Sequence, residues 1–300
     1  MATVLQSQKT ALITGAASGI GFAVAKLCRA RGMHLALLDI DQVNLLKAKE
    51  ILASTDASLK TEAYPIDVGD KSQWDSLASR VESTFPTVDL VLLNAARGTK
   101  PKDSSPWIEN VEYWREVFDT NVFGPVNGIS ALLPLLKKDS SAKSVVITGS
   151  KQGITNPPGS RNPAYNSSKG AIKILAEHLA HGLRSDPATA HISAHLLVPG
   201  WTWTGLMGNV GPTSESEVKM MKGAWAPSQV AEELEKALQR GSFYIICPDD
   251  ETDQALDKAR MQWGCDDIIE DRPALSRWED RWKVRAEKAI QEDAERRRGA

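Results

Sequence analysis

The 300-residue chain is 42% hydrophobic and 25% charged, the balance of a globular protein with a sizeable core. A formal net charge of −2 offers no case for nucleic acid or an anionic membrane as the main partner. Three scattered cysteines (Cys28, Cys247, Cys265) form neither a disulfide framework nor a metal-ligand pattern, so no metal is expected. No run approaches the roughly 18 apolar residues of a membrane helix. The polar stretch before the first strand has no signal-peptide core, and the expected location is cytoplasmic.

In chain order, Thr10 to Thr14 reads as a buried strand and Ile20 to Ala30 as an amphipathic helix. A strand at His34 to Asp39 and a helix at Gln42 to Ser54 follow, then a strand at Thr61 to Ile66 and a helix at Lys71 to Thr84. Val88 to Leu93 is a further strand, and Trp107 to Leu136 a long helical stretch. Strand Ser144 to Thr148 leads to a helix over about Ala164 to Arg184, then to strands at His191 to Val198 and Phe243 to Cys247. Strands alternating with helices predict βαβ units. The fold class is therefore α/β, a Rossmann-like doubly wound sheet of about seven parallel strands covered on both faces.

Two stretches break the rhythm. Gly200 to Pro227 is a long connection rich in Trp, Gly and Pro, which reads as a functional lid. From Asp249 to Ala300 the chain adds roughly fifty residues rich in charge, with a solvated helix near Trp282 to Arg298. The organisation read from this is one domain over 1–250 and a helical extension over 251–300 packed on it.

The turn Thr14-Gly15-Ala16-Ala17-Ser18-Gly19-Ile20-Gly21 joins the first strand to the first helix. Glycines there allow a tight turn and close backbone approach to a pyrophosphate, which a helix N-terminus favours. The alternative is a turn used only for packing. Asp39 ends the second strand, 18 residues beyond Gly21. A carboxylate at that point can accept bonds from both adenosine ribose hydroxyls and repels a 2′-phosphate. No Arg or Lys follows over 40–46, and Ser18 takes the place of a basic residue in the turn, so NAD is preferred over NADP. The competing role for Asp39 is a cap on the helix starting near Gln42. Further along, Tyr165 and Lys169 lie four residues apart and share one helix face.

Taken together, the sequence resembles the short-chain dehydrogenase/reductase family over about residues 9 to 248. The family's Thr-Gly-x-x-x-Gly-x-Gly turn is Thr14 to Gly21, its Asp-Val pair is Asp67-Val68, and its Tyr-x-x-x-Lys is Tyr165 and Lys169. Its Asn-Asn-Ala-Gly is matched in part by Leu93-Asn94-Ala95-Ala96, with Leu93 and Ala96 as departures. The resemblance implies a catalytic set of Asn121, Ser150, Tyr165 and Lys169. It also implies cofactor contacts from Gly15, Ser18, Gly19, Ile20, Gly21, Asp39, Asp67, Val68, Asn94, Ala95, Ala96, Pro199, Thr202 and Thr204, together with Tyr165 and Lys169.

The chemistry so implied is interconversion of a secondary alcohol and a ketone with NAD(H). Tyrosine, with an ordinary pKa of about 10, is a poor base near neutrality. A neighbouring ammonium favours the phenolate, so Lys169 is expected to lower the Tyr165 pKa. Ser150 can hold the substrate oxygen, and Asn121, by resemblance, anchors a water behind Lys169. The expected substrate pocket draws on Gln152, Trp201, Trp203, Met207 and Trp225, which would suit a bulky apolar or aromatic substrate; core packing is the alternative for the tryptophans. Two competing readings are a non-catalytic NAD-binding sensor or scaffold, and an epimerase or dehydratase on the same site. The resemblance further implies a homodimer or homotetramer formed through the helices over 107–136 and 164–184.

Overall fold

The computed structural model describes residues 4–98, 110–159, 162–208, 211–213 and 221–299. Seven short runs rich in aliphatic and β-branched residues form the strands. They are β1 (Thr10–Thr14), β2 (His34–Asp39), β3 (Thr61–Pro65), β4 (Leu90–Leu93), β5 (Lys143–Thr148), β6 (Ile192–Val198) and β7 (Tyr244–Ile246). All pair in parallel, in the order β3-β2-β1-β4-β5-β6-β7. The strand order reverses between β1 and β4, so a crevice opens beyond their carboxyl ends.

Helices cover both faces. One core layer joins α1 (Gly19–Ala30), α2 (Gln42–Thr55) and α8 (Pro227–Arg240) to the sheet through residues such as Val24, Leu45 and Leu234. The other joins α3 (Lys71–Thr84), α5 (Gly124–Leu136) and α7 (Pro163–Ser185) through Trp74, Leu132 and Ile172. Helix α8 stands in a region that the reading in chain order leaves unassigned. It opens with Pro227 and closes on Gly241 in the left-handed region, both favourable terminal residues.

The long helical stretch predicted over 107–136 is in fact interrupted; its first residues, 107–109, lie outside the described ones. Helix α4 (Val111–Phe118) passes into a single π-type turn, Asp119–Phe123, before α5 begins. Pro125 has no N–H to donate to the Asn121 carbonyl four residues back. The ladder widens accordingly, and the Gly124 N–H donates to the Asp119 carbonyl five residues back.

The extension is a helical hairpin of α9 (Gln254–Ile269) and α10 (Asp280–Gly299). It has a small core of its own, including Leu256, Trp263, Ala286 and Ile290. Helix α9 packs on α6 (Gln152–Thr155), the short helix that follows β5. Trp278 strengthens this join by donating its indole N–H to the Asn156 carbonyl at 3.0 Å. Among the described residues, no helix is long and apolar enough to cross a membrane.

Candidate active site

A cleft of about 670 Å³ lies over the carboxyl ends of the central strands. At one end the glycine turn forms a cradle that side chains would fill. Gly15 holds φ +65°, and a Cβ there would sit 2.9 Å from Asn94 Nδ2. A Cβ on Gly21 would lie 2.0 Å from the Gly15 carbonyl oxygen, a distance no side chain tolerates. Ser18 begins α1 without a side-chain cap bond, so the first-turn N–H groups keep donor capacity for another acceptor. Ser18, Gly19 and Ile20 line the cleft, with Gly21 packed behind them.

Asp39 lines the same end. Its Oδ2 accepts the Ala17 N–H at 2.9 Å and its Oδ1 the Asp41 N–H at 3.0 Å. Burial raises its pKa, and these N–H groups oppose the rise. The cap of α2 is Asp41, which accepts from the Asn44 N–H at 3.0 Å, so Asp39 is not committed to that task. Asp67 and Val68 line the adjacent wall, as do Asn94, Ala95 and Ala96. The Asn94 amide works chiefly inside the protein: Nδ2 donates to the Thr14 carbonyl at 3.3 Å, and Oδ1 accepts from Thr148 at 3.2 Å. It thereby ties the ends of β1, β4 and β5 together.

In the middle of the cleft Ser150, Tyr165 and Lys169 converge. Ser150 follows β5, and its Oγ accepts the Gln152 N–H at 3.2 Å. Tyr165 sits in the first turn of α7, whose cap is Asn162; its Oδ1 accepts the Tyr165 N–H at 3.2 Å. Asn162 also donates to the Gly98 carbonyl at 3.1 Å and accepts from the Tyr113 hydroxyl. This positioning residue has no signature in the sequence beyond its place before Pro163.

Lys169 is buried, 5.7 Å from the centroid of the Tyr165 ring, and donates to the Thr148 carbonyl at 2.7 Å. Burial lowers its pKa to about 8. Burial raises the Tyr165 pKa, and a hydrogen bond from Ser150 opposes that rise. The expected lowering of Tyr165 by Lys169 is therefore not met by the chain alone. The ammonium is spent on a backbone carbonyl and is itself disfavoured by burial.

Asn121 does not line the cleft. The π-type turn carries it into the interior, where Nδ2 donates to the Arg97 carbonyl and to Ser168 Oγ, both at 3.0 Å. Its Oδ1 accepts the Arg97 N–H at 2.7 Å, and Ser168 Oγ donates to the Tyr165 carbonyl at 2.7 Å. Asn121 thus clamps the loop after β4 to the first turn of α7.

At the end away from the glycine turn, Gln152, Trp201 and Leu206 line the cleft with Pro199 and Thr202. Thr204 also lines it but packs on the turn itself, where a Cβ on Gly19 would lie 3.1 Å from Thr204 Cβ. Trp203 and Trp225 do not line the cleft, contrary to the sequence expectation. The two ends of the lid are stitched by the Trp225 N–H to the Trp201 carbonyl at 2.8 Å and the Trp203 N–H to the Trp225 carbonyl at 2.9 Å. This pairing turns Trp225 onto the core layer of α1 and α8. The Met207 side chain and residues 209–210 and 214–220 lie outside the described residues.

Sequence reasoning missed the charged wall of this end. Lys151 Nζ lies 3.1 Å from Asp249 Oδ2 and 2.6 Å from Asp257 Oδ2, and with Arg260 all of them line the cleft. Asp249 Oδ2 also accepts the Trp201 N–H at 3.2 Å. Gly200 makes room for the cluster, since a Cβ there would lie 2.5 Å from Asp249 Oδ2. Asp257 and Arg260 belong to α9, so the extension forms part of the cleft.

The chain's likeness to known proteins agrees with this architecture. A family profile described as short chain dehydrogenase matches residues 9–215. The 2,3-dihydro-2,3-dihydroxybenzoate dehydrogenase of Bacillus subtilis (strain 168) is 28% identical over 217 residues, 72% of this chain and 78% of that protein. A short chain dehydrogenase/reductase from Burkholderia phymatum, solved in complex with NAD, is 26% identical. It superposes with a TM-score of 0.76 over 90% of this chain and 97% of its own. An alcohol dehydrogenase from the archaeon Thermococcus sibiricus, solved with 5-hydroxy-NADP, shares the fold at 24% identity, with a TM-score of 0.63 over 77% of this chain and 90% of its own. The match over most of its length, on a seven-stranded parallel sheet with this cleft, makes the chain a member of the short-chain dehydrogenase family of oxidoreductases.

Proposed function

We propose that the protein is an NAD(H)-dependent oxidoreductase that interconverts a secondary alcohol and a ketone, with Tyr165 as the general acid/base. The observation that carries this reading is the convergence of Ser150, Tyr165 and Lys169 in a cleft that also holds a glycine cradle and Asp39. The cradle, the uncapped start of α1 and the carboxylate after β2 fit a dinucleotide whose adenosine ribose lacks a 2′-phosphate. The NAD bound to the Burkholderia phymatum relative supports that choice. When bound, the nicotinamide supplies the hydride acceptor or donor.

In the oxidative direction, the Tyr165 phenolate takes the substrate hydroxyl proton. Ser150, which donates its one hydroxyl hydrogen to Tyr165, can turn that hydrogen to the substrate oxygen and stabilise the charge that develops there. Lys169 holds a positive charge one helical turn away at neutral pH, below its lowered pKa of about 8. Burial by itself raises the phenol pKa and the Ser150 hydrogen bond opposes that rise; an oxidised nicotinamide held in the cleft would add a positive charge that favours the phenolate. Trp201 and Leu206 give the pocket an apolar side that suits a moderately bulky carbon skeleton. The cyclic diol in the name of the Bacillus subtilis relative supports such a substrate.

The test is Tyr165→Phe in a spectrophotometric screen of cyclic alcohols and ketones with NAD(H). Turnover is expected to fall at least about a thousandfold while NADH binding persists. Near-normal turnover in that variant would sink the assignment.

A further inference from the structure

The substrate end of the cleft sets two cations, Lys151 and Arg260, against two carboxylates, Asp249 and Asp257, but only one of the cations is in contact with them. Asp249 and Asp257 both face Lys151, at 3.1 and 2.6 Å, and all three side chains are at most 12% exposed. Three charges that close act as one buried cluster, whose second carboxylate Arg260 balances from beyond contact distance, and removing either sign would strand the other. Arg260 follows Asp257 by three residues on α9 and lines the cleft beside them. Among the described residues its single hydrogen bond is from Nη1 to Thr252 Oγ1 at 3.1 Å, and no carboxylate comes within 4.0 Å of it. Of the neighbours acting on Asp257, Arg260 has the smallest effect, behind Lys151 and Asp249.

A second guanidinium stands near Arg260. Arg277 has a buried Nη1 with no hydrogen-bond partner. Burial lowers its pKa, and the charge of Arg260 lowers it further. The carboxylate that favours its charge, Asp267, is already occupied. It accepts from the Ser276 hydroxyl at 2.6 Å and the Ser276 N–H at 3.2 Å, and it pairs with Arg272 at 3.6 Å. Arg260 therefore presents a planar fork of donors, largely unused, beside a second cation whose carboxylate neighbour, Asp267, is shared with Arg272. Such a fork is matched by a carboxylate taken in two parallel hydrogen bonds.

We propose that Arg260 is the specificity-determining residue for a carboxylate carried by the substrate, so that the C-terminal extension selects acidic alcohols and ketones. Trp201 and Leu206 line the same cleft and take the carbon skeleton between that carboxylate and the group reacting at Tyr165. The proposal rests on the alcohol/ketone reading for what else the substrate contains, but its test does not.

The full chain, with and without NADH, is titrated with 3-oxocyclohexanecarboxylate and with its methyl ester, using calorimetry or tryptophan fluorescence. The wild type is expected to bind the carboxylate about 10- to 100-fold more tightly than the ester. Arg260→Gln should bring the two within about twofold, and Arg260→Lys should restore part of the preference, which a merely structural role would not do. Equal binding of the two probes by the wild type, no saturable binding of the carboxylate, or a preference that survives Arg260→Gln would each overturn the proposal. Turnover measured alongside judges Tyr165 separately. A protein that binds the carboxylate but reduces no ketone loses the Tyr165 reading and keeps this one.

Discussion

Replacing Lys169 by Met separates what this residue costs the fold from what it does in the site. Its ammonium is buried, with the Thr148 carbonyl at 2.7 Å as the hydrogen-bond partner, and burial takes its pKa from 10.5 to about 8. A shift of that size corresponds to about 3 kcal/mol of native-state destabilisation at neutral pH. The sign follows from proton counting. Between the native value of about 8 and the unfolded value of 10.5, the unfolded chain holds a proton that the native state has released. Stability contributed by this residue is therefore lowest below about pH 8 and recovers as pH rises towards the unfolded value. Met removes the titration and also leaves the Thr148 carbonyl without that donor, a loss of about 1 to 3 kcal/mol that does not depend on pH.

Near pH 7 the variant should thus lie between equal stability and a gain of about 2 kcal/mol, while turnover is lost. The sharper reading is the pH dependence. Urea unfolding of both proteins from about pH 7 to pH 10 should show the wild type gaining about 2.5 kcal/mol on the variant across that range. Stability curves that run parallel would refute the reasoning, because they would mean that the buried lysine does not release its proton in the native state.

Three further outcomes follow from the site. Asp39→Ala combined with Ile40→Arg removes the carboxylate that repels a 2′-phosphate and adds a cation at an exposed cleft position. The ratio of kcat/KM for NADP to that for NAD should rise at least about tenfold, and an unchanged ratio counts against Asp39 as the discriminator. Lys151→Met strands two poorly exposed carboxylates, Asp249 and Asp257. A loss of roughly 3 kcal/mol is expected, with faster proteolysis of the extension at neutral pH, and an unaltered melting curve would show that the cluster does not join α9 to the body. Trp201→Ala should raise KM about tenfold for bulky cyclic ketones and hardly at all for small ones; equal effects on both would remove Trp201 from the substrate wall.

The glycine turn and Asp39, the candidate cofactor end, were legible in the sequence because their placement is local. Gly15, Gly19 and Gly21 follow a strand within one turn of chain, and Asp39 closes the next strand, so residue type and spacing carry the geometry. The candidate catalytic group was partly legible. Tyr165 and Lys169 share a face through helical period alone, but the direction of the Tyr165 pKa depends on burial and on the carbonyl that holds Lys169, which spacing does not reveal. Asn121 shows the same division. Its position was readable, while its removal from the cleft wall depends on a widened turn that meets Arg97 and Ser168. In the lid, the three tryptophans and Met207 could not be sorted by pattern, since irregular backbone has no period that marks a face.

What the sequence by itself determined is the alternation of apolar strands and helices, hence a doubly wound parallel sheet, and the glycine turn at its switch point. Strand burial and turn geometry act over a few residues, so composition and order suffice to set them. Only the tertiary structure decided how the substrate end is built. Lys151 meets Asp249 across 98 residues of chain, and the extension brings Asp257 and Arg260 to the same wall. Pairings of that kind are enforced by the low tolerance of a packed interior for an unmatched charge, a constraint satisfied in space and without periodicity along the chain.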